Sequence, residues 1–269
     1  MRLMLLLAVM MALHGEVRQG DVIRVAGPGE KARMNGRTVR LFEQTDGSRL
    51  GLMAVPATEK PGEYTLQVMD GGGNVVRSES VVVKDARFRK QNVVIGKETA
   101  ALAPSEEETR LVRAFLAAET ERRYWAEPLK LPLPGCMISP YGVERLHNGK
   151  PTGNVHGGWD QRGAKGTAVR AVAAGVVRIA KMFELRGGTV GIDHGQGLET
   201  MYLHMSGFAV AEGAEVKQGD VVGYVGSTGR STGPHLHWSV FANGVAVNPA
   251  QWVRVGACAA APAGGKKKK

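Results

Sequence analysis

Cysteine and aromatic residues are scarce in this chain of 269 residues. Only Cys136 and Cys258 are present, which excludes a disulfide-rich scaffold and a zinc knuckle built on four cysteines. The pair leaves two alternatives open, one disulfide or two free thiols. Aromatic residues make up 6% of the sequence and are not interleaved with basic ones. A base-stacking surface is therefore disfavoured, and we expect no nucleic-acid partner.

Long apolar runs are also missing, apart from one at the N-terminus. Residues 3–13 carry no charge and follow Arg2. This run is too short to span a bilayer but has the length of a signal-peptide core. We expect a signal peptide over residues 1–15 and an exported protein of the periplasm or cell envelope, with a buried first strand or helix as the alternative. After signal removal, no integral membrane span is expected.

Positive charge is in excess. The net charge is +10, and four of the charges come from residues 266–269. We expect a flexible basic tail over residues 256–269. A positive chain suits a partner that carries carboxylates or phosphates, and cell-wall polymer, anionic lipid surfaces and nucleic acid all do.

Glycine is abundant, at 37 residues, and separates short runs with a β pattern. In the first part of the chain these runs alternate with turn signals such as Pro61-Gly62. They predict a small immunoglobulin-like β-sandwich over residues 16–95. No residues in it converge as a site, so we expect it to serve spacing or docking. The predicted strands lie at residues 21–25, 38–42, 49–53, 63–68 and 75–83.

A helix and a linker follow over residues 96–130. Ser105 and Glu108 match a capping box, and the apolar residues after them fall at helical spacing. We expect the helix to run to about Tyr124. Three prolines, at positions 128, 132 and 134, then stop it and stiffen the linker.

The chain returns to a β pattern over residues 131–255, which makes the protein mostly β. Every histidine except His14 lies in this part, so we expect the chemistry here. Isolated His-x-x-x-Asp and His-x-His strings arise often by chance, and the prediction depends on their joint occurrence. Predicted strands lie at residues 168–177, 188–192, 199–205, 221–225 and 235–241. The motifs are His156-Gly-Gly-Trp-Asp160, Tyr202-Leu-His204 and His235-Leu-His237.

Geometry tests whether these motifs can form one metal site. Catalytic zinc sites use about three His, Asp or Glu ligands and leave one position for water. His235 and His237 are two apart on a strand and so face one side. His156 and Asp160 would lie about 13 Å apart on an extended strand. The chain must therefore bend between them, and Gly157-Gly158 permits a bend. Spacing does not decide which of His235 and His237 would bind the metal.

Other polar residues have several interpretations. Tyr202 and His204 are expected to share a strand face. His194 fits a local hydrogen bond in an Asp-His-Gly turn better than a metal ligand. His147 is expected to be exposed in a loop. Arg145 could contact a substrate carboxylate or lie free on the surface.

The order and spacing of the motifs resemble those of the lysostaphin-type, or LytM-like, zinc endopeptidases over residues 135–253. The resemblance implies a glycine-rich β-sheet metallopeptidase domain over residues 131–255, of the barrel-sandwich-like type called a duplicated hybrid motif. Trp159 departs from the small aliphatic residue usual before the aspartate and could alter local packing or the substrate groove. Matching stretches lie at residues 139–142, 166–171, 190–195, 202–204, 213–219 and 226–237.

The resemblance also implies roles for individual residues. His156, Asp160 and His237 match the ligands of Zn²⁺, and His204 and His235 match the two catalytic histidines. The implied substrate is the peptide part of bacterial peptidoglycan, with stem peptides as the partner. The sequence does not decide between a D-Ala–diamino-acid cross-link and a glycine bridge.

Two other functions are compatible with parts of the sequence. Non-catalytic relatives bind and activate a cell-wall amidase, but they lose ligands, and all five positions are present here. Residues 215–220 resemble a biotinyl or lipoyl carrier hairpin, but Lys217 lacks the neighbours of a carrier lysine. We therefore expect a zinc-dependent endopeptidase that hydrolyses peptidoglycan cross-links, with the amidase activator as the alternative.

Overall fold

The computed structural model describes residues 15–254. Nearly all of the predicted signal peptide, the predicted basic tail and Cys258 lie outside the described residues. Within them the protein is mostly β, as predicted. No helix in this range combines the length and the hydropathy needed to cross a bilayer.

The first part of the chain is a small β-sandwich of two sheets. One sheet has the order β1-β8-β7-β3-β4, and the other has the order β2-β6-β5. Alternating apolar residues such as Ile23, Val25, Leu66 and Val81 are buried between them. The assignment to an immunoglobulin-like class stays a prediction. The strands are β1 Val17–Arg18, β2 Val22–Ala26, β3 Lys31–Met34, β4 Arg37–Arg40, β5 Phe42–Glu43, β6 Arg49–Ala54, β7 Gly62–Met69 and β8 Val75–Lys84.

One strand predicted in this region, at residues 38–42, is divided between the two sheets. The division falls at Leu41, whose side chain is buried and whose N–H donates to the Glu30 carbonyl at 2.7 Å. This bond continues the β3–β4 register by one residue, and Phe42 of β5 then pairs with Leu50 of β6 in the other sheet. Local pattern does not reveal such a switch.

The connecting segment contains β9 (Lys90–Val93) and the helices α1 (Lys97–Ala101) and α2 (Glu106–Leu116). Ser105 Oγ accepts a hydrogen bond from the Glu108 N–H at 3.1 Å, as a capping residue does. The Glu108 side chain does not complete the capping box, because it bonds elsewhere. The helix also ends well before Tyr124, whose N–H donates to the His194 carbonyl at 2.9 Å.

The remaining strands form one large sheet and smaller ones around it. The large sheet has the order β10-β13-β21-β17-β16-β15-β19, with β22 paired to β21. The predicted strand at residues 168–177 is broken, because β14 pairs with β20 in another sheet while β15 pairs with β16. The strands are β10 Met137–Ser139, β11 Glu144–His147, β12 Lys150–Val155, β13 Trp159–Arg162, β14 Ala168–Arg170, β15 Gly175–Phe183, β16 Gly187–Asp193, β17 Leu198–Met205, β18 Gly207–Phe208, β19 Glu215–Val216, β20 Val221–Tyr224, β21 His235–Ala242 and β22 Val245–Val247, followed by a 3₁₀ turn at Pro249–Gln251.

The two faces of the large sheet differ sharply. Alternation on β21 directs Leu236, Trp238 and Val240 into the main hydrophobic core, and we call this side the core face. The other side, which we call the site face, carries His235 and His237. Helix α2 covers part of the site face, where Phe115 packs with Met201 of β17 and Phe183 of β15.

The β-sandwich packs directly against the C-terminal region. Val22, Leu52 and Ala54 belong to the same buried cluster as Trp238. The Val22 N–H donates to Gln251 Oε1 at 2.7 Å, and Asn243 Nδ2 donates to the Leu52 carbonyl at 2.7 Å. The sandwich is thus docked on the region that carries the histidines.

Candidate metal centre and active site

Five predicted site residues converge on the site face. His156 Nε2 lies 3.0 Å from Asp160 Oδ1 and 2.9 Å from His237 Nδ1. His237 Nδ1 lies 2.8 Å from Asp160 Oδ1. The ring of His235 has its Nε2 3.8 Å from the same oxygen, and the ring centroid of His204 lies 4.9 Å from that of His235. The structure therefore brings together all five residues.

The predicted bend between His156 and Asp160 is present. Strand β12 ends at Val155 and β13 begins at Trp159, so the two glycines lie outside both strands. A Cβ on Gly158 would lie 2.4 Å from the Trp238 carbonyl oxygen and 2.9 Å from His237 Nε2. The bend needs glycine at position 158 because the chain passes close to β21 there.

His156, Asp160 and His237 have the arrangement of a metal centre. Their potential ligand atoms all lie within 4.8 Å of one another, and the residues are largely buried. Three donors at about 2.0–2.2 Å from a tetrahedral zinc lie roughly 3.3 Å apart, close to the observed separations of 2.8 to 3.0 Å. Two imidazoles and a carboxylate are also a donor set that zinc accepts. The residues present fit a zinc ion.

Backbone carbonyls fix the tautomer of three of the histidines. A carbonyl oxygen only accepts, so each ring nitrogen facing one carries the proton. The Nδ1–H of His156 donates to Pro140 O at 2.7 Å, that of His204 donates to Thr228 O at 2.9 Å, and that of His235 donates to Gly233 O at 2.8 Å. In each ring the Nε2 lone pair is left for the site.

His237 uses the opposite nitrogen. Its Nε2 lies 2.9 Å from Ser239 Oγ, and its Nδ1 faces Asp160. With Nε2–H donating to the serine, the Nδ1 lone pair is free to bind a metal. The position of Ser239 two residues further along the same strand makes this contact possible.

His204 reaches the site through an exceptional backbone conformation. Its φ is +63°, in the left-handed region that a non-glycine residue rarely adopts. Simple alternation predicts the same face for Tyr202 and His204, and that prediction is wrong. Tyr202 is fully buried in the core-face cluster, whereas the His204 ring lies beside His235 on the site face. The turn at His204 reverses the direction of its side chain.

Burial sets the electrostatics of the centre. Burial raises the pKa of Asp160, but hydrogen bonds from His156 and His237 outweigh it and hold the pKa well below its usual value. Burial, reinforced by the neighbouring imidazoles of His237 and His235, lowers the pKa of His204 to about 3. Burial likewise lowers the pKa of His237 to about 4. At neutral pH the site thus presents the Asp160 carboxylate with the neutral imidazoles of His204 and His237, the forms that bind a cation or accept a proton.

Arg145 has a role that sequence reasoning missed. Its Nη2 bonds Asp160 Oδ2, which leaves Oδ1 for the two histidines. Arg145 lies on β11, which pairs with β12, the strand that precedes β13. Neither proposed role, contact with substrate or a free surface position, anticipated this pairing. A guanidinium on one oxygen orients the carboxylate and favours its charged form.

The structure places the other singled-out residues outside the site. Trp159 is 3% exposed and packs edge-on against Trp238 in the core, so it does not line a groove. Tyr202 accepts a hydrogen bond from the Val172 N–H at 3.0 Å. His194 bonds the Ala174 carbonyl at 2.7 Å, as a structural histidine does. His147 lies half-buried on β11, not in a loop.

Comparison with known proteins assigns this region to a family. The model of peptidase family M23 matches residues 154–249, which include all five site residues. Residues 154–249 form an M23 domain. A structure from Pseudomonas aeruginosa assigned to peptidase M23 has a TM-score of 0.67 and 28% sequence identity to this chain. The alignment covers 87% of this chain and 93% of that one, so the likeness extends beyond the M23 domain to the sandwich.

Curated relatives match the same region. The DD-carboxypeptidase/endopeptidase Mpg of Neisseria meningitidis is 48% identical over 113 residues. The peptidoglycan DD-endopeptidase ShyC of Vibrio cholerae is 38% identical over 113 residues. Each alignment covers 42% of this chain and 26% of the relative. The matched M23 domain thus accounts for about a quarter of the length of these relatives.

Proposed function

We propose that this protein is a zinc-dependent endopeptidase that hydrolyses peptide cross-links of bacterial peptidoglycan in the cell envelope. One observation carries the proposal. Three donor atoms separated by 2.8 to 3.0 Å lie next to two further imidazoles whose Nε2 atoms face the same space. A centre that only stabilised the fold would use closed coordination and would not need the two additional histidines.

His156 Nε2, Asp160 Oδ1 and His237 Nδ1 would hold the zinc. When bound, zinc polarises the scissile carbonyl and lowers the pKa of water to about 7. His204 is neutral at pH 7, and its Nε2 can take a proton and pass it to the leaving amine. His235 presents its Nε2 lone pair beside Asp160 Oδ1, where it can accept a hydrogen bond from the attacking water and orient it.

The charges around the site support an anionic peptide substrate. Arg230 precedes His235 by five residues, and its N–H donates to Leu185 O beside Arg186. Arg230 is exposed overall, but partial burial lowers its pKa, and repulsion from Arg145 and Arg186 lowers it further. Arg145 and Arg186 are paired with Asp160 and Glu108, whereas no ion pair of Arg230 occurs among residues 15–254. An arginine held near like charges favours an incoming carboxylate, and peptidoglycan stem peptides carry free carboxylates.

The names of the curated relatives support the same substrate. Mpg is named a DD-carboxypeptidase/endopeptidase and ShyC a peptidoglycan DD-endopeptidase. We infer a D,D bond of the peptide cross-link as the bond hydrolysed here. Of the two bonds that the sequence left open, we thus propose the cross-link and not a glycine bridge.

The decisive experiment combines metal analysis with digestion. Purified protein is expected to contain about one zinc per chain and to release muropeptide monomers from cross-linked peptidoglycan. The variant His204→Ala should retain zinc while its turnover falls at least about 100-fold, since general acid–base catalysis contributes 10²–10⁴-fold. Mass spectrometry of the released muropeptides identifies the bond.

Each other result has a definite meaning. Full activity in His204→Ala would refute the assigned proton transfer. Zinc-free protein that cleaves nothing yet stimulates a cell-wall amidase would establish the activator function in place of the peptidase. Release of glycine-terminated fragments would refute the D,D assignment.

A further inference from the structure

Glu108 is a carboxylate with no exposed surface in the first turn of α2, and the proposed reaction does not use it. Its Oε1 accepts from Arg186 Nη1 at 2.6 Å, and its Oε2 accepts from the Leu185 N–H at 3.2 Å. A buried carboxylate is strongly unfavourable unless it is paired, and these two bonds satisfy it. The side chain therefore joins the linker helix to the turn between β15 and β16.

That turn is bonded to the active site through its backbone. The His204 N–H donates to the Arg186 carbonyl at 3.1 Å. The Arg230 N–H donates to the Leu185 carbonyl at 2.9 Å, and the Gly188 N–H donates to Thr228 Oγ1 at 2.9 Å. Glu108 thus fixes Leu185 and Arg186. The Arg186 carbonyl holds His204, and the Leu185 carbonyl holds the loop that precedes His235.

The turn between β15 and β16 packs closely against the loop that precedes His235. A Cβ on Gly187 would lie 2.4 Å from the Thr228 carbonyl oxygen, and a Cβ on Gly229 would lie 2.6 Å from Leu185 O. The Thr228 carbonyl is also the acceptor for His204 Nδ1–H, at 2.9 Å. A displacement of the turn must therefore move the group that fixes the tautomer of His204.

We propose that Glu108 is a positioning residue for His204, acting through Leu185 and Arg186. The bond from the His204 N–H to Arg186 supports the left-handed backbone that directs the imidazole to the site face. This inference rests on the proposed function, in which His204 moves a proton. Helix α2 is then part of the active-site framework and not only a spacer.

Adjacent residues on α2 provide a matched test. Glu107 also pairs with the large sheet, through Lys181 Nζ at 2.5 Å, but both partners are exposed and lie outside the turn. Glu107→Gln should therefore keep the turnover of the wild type. Glu108→Gln, which can still accept one hydrogen bond, should lower kcat about 10-fold, and Glu108→Ala about 100-fold. The KM and the zinc content should not change, because the three ligands lie on other elements.

Hydrogen exchange on the metal-free protein gives a readout that does not depend on activity. In Glu108→Ala the amides of His204 and Arg230 should exchange at least about 10-fold faster than in Glu107→Gln, while amides of β21 keep their protection. Uniformly faster exchange over the whole sheet, or unchanged kcat in folded Glu108→Gln, would overturn the proposal. Wild-type protein that cleaves no peptidoglycan would refute the proposed function, and the exchange comparison would still test the position of His204.

Discussion

The two faces of the large sheet are built from the same strands but under different constraints. On β21 the core face carries Leu236 and Trp238, both fully buried, and the site face carries His235 and His237. On β17 the core face carries Tyr202, and the site face carries Met201 beneath α2. On these strands the core face follows alternation, because burial of apolar area stabilises the inward positions.

The site face departs from regular strand geometry where chemistry is proposed. His204 adopts a left-handed conformation, and the chain bends at Gly157-Gly158 so that His156 and Asp160 meet. Such departures persist only when surrounding contacts hold them. At His204 those contacts are carbonyls of residues 186 and 228. The comparison indicates that stability comes mainly from one face and reactivity from the other.

The largest expected effects separate the two faces on a single strand. His235→Ala should lower kcat at least about 100-fold and change the free energy of unfolding by less than about 1 kcal/mol. Trp238→Ala, three residues further along, should lower the free energy of unfolding by about 3–5 kcal/mol. Digestion of peptidoglycan measures kcat, and urea unfolding followed by circular dichroism measures the free energy of unfolding. Large stability loss in His235→Ala would show that the faces are not separable in this way.

The second prediction concerns the buried histidine that contacts the core face. His194 Nε2 lies 2.8 Å from Thr200 Oγ1, and burial lowers the pKa of His194 to about 4. Between about pH 6.5 and 4 the unfolded chain binds a proton that the folded chain excludes. The contribution of His194 to stability is therefore complete above pH 6.5, and about 3 kcal/mol of it is lost as the pH falls to 4.

Comparison with His194→Asn isolates this effect. Asp193 and Glu199 are present in both proteins, so their contributions largely cancel in the difference. Urea unfolding at pH 4 and pH 7 should show that the wild type loses about 3 kcal/mol more than the variant over this interval. Equal losses would indicate that the folded protein binds the proton on His194 without penalty.

The third prediction uses the two glycines of the bend. Gly158→Ala places a Cβ against the Trp238 carbonyl and the His237 ring, whereas a Cβ on Gly157 finds only Ala246 Cβ, at 3.7 Å. We expect Gly158→Ala to weaken zinc affinity about 10- to 100-fold, like other changes that misplace ligands. Gly157→Ala should stay near the wild type. Zinc titration with a competing chelator distinguishes the two, and equal affinities would show that the bend tolerates a side chain.

The smallest expected effect lies at the rim of the site face. Arg230→Gln should raise the KM for an anionic stem peptide about 3-fold, because an exposed charge contributes up to about 1 kcal/mol. Arg170→Gln removes the same charge from β14, in another sheet, and should leave the KM unchanged. The effect of Arg230→Gln should disappear on amidated peptides. An equal effect on both substrates would indicate that Arg230 contacts something other than a carboxylate.

Most strands could be predicted from the sequence, and the errors have identifiable causes. The pattern at residues 188–192, 199–205 and 235–241 gave β16, β17 and β21 with small shifts at the ends. The helix predicted to reach Tyr124 ends at Leu116, because the following segment bonds to the turn at His194. The strand predicted at residues 168–177 is broken, because its two parts join different sheets. Pairing partners far away in sequence decided these points.

The sequence by itself determined the β-rich fold, the strand alternation that separates Trp238 from His237, and the types of side chain available to a metal. Glycine at position 158 made the bend between His156 and Asp160 possible. These properties depend on residue type and on spacing of a few positions, which local physics controls.

The tertiary structure decided how those residues are oriented. The reversed side chain of His204, the pairing of Arg145 with Asp160 and the bond from Glu108 to Arg186 across 78 residues have no local signature. Each arises because a buried or charged group satisfies its hydrogen bonds with whatever the fold brings near it. The site was therefore predictable as a set of residues, whereas its geometry depended on contacts between distant parts of the chain.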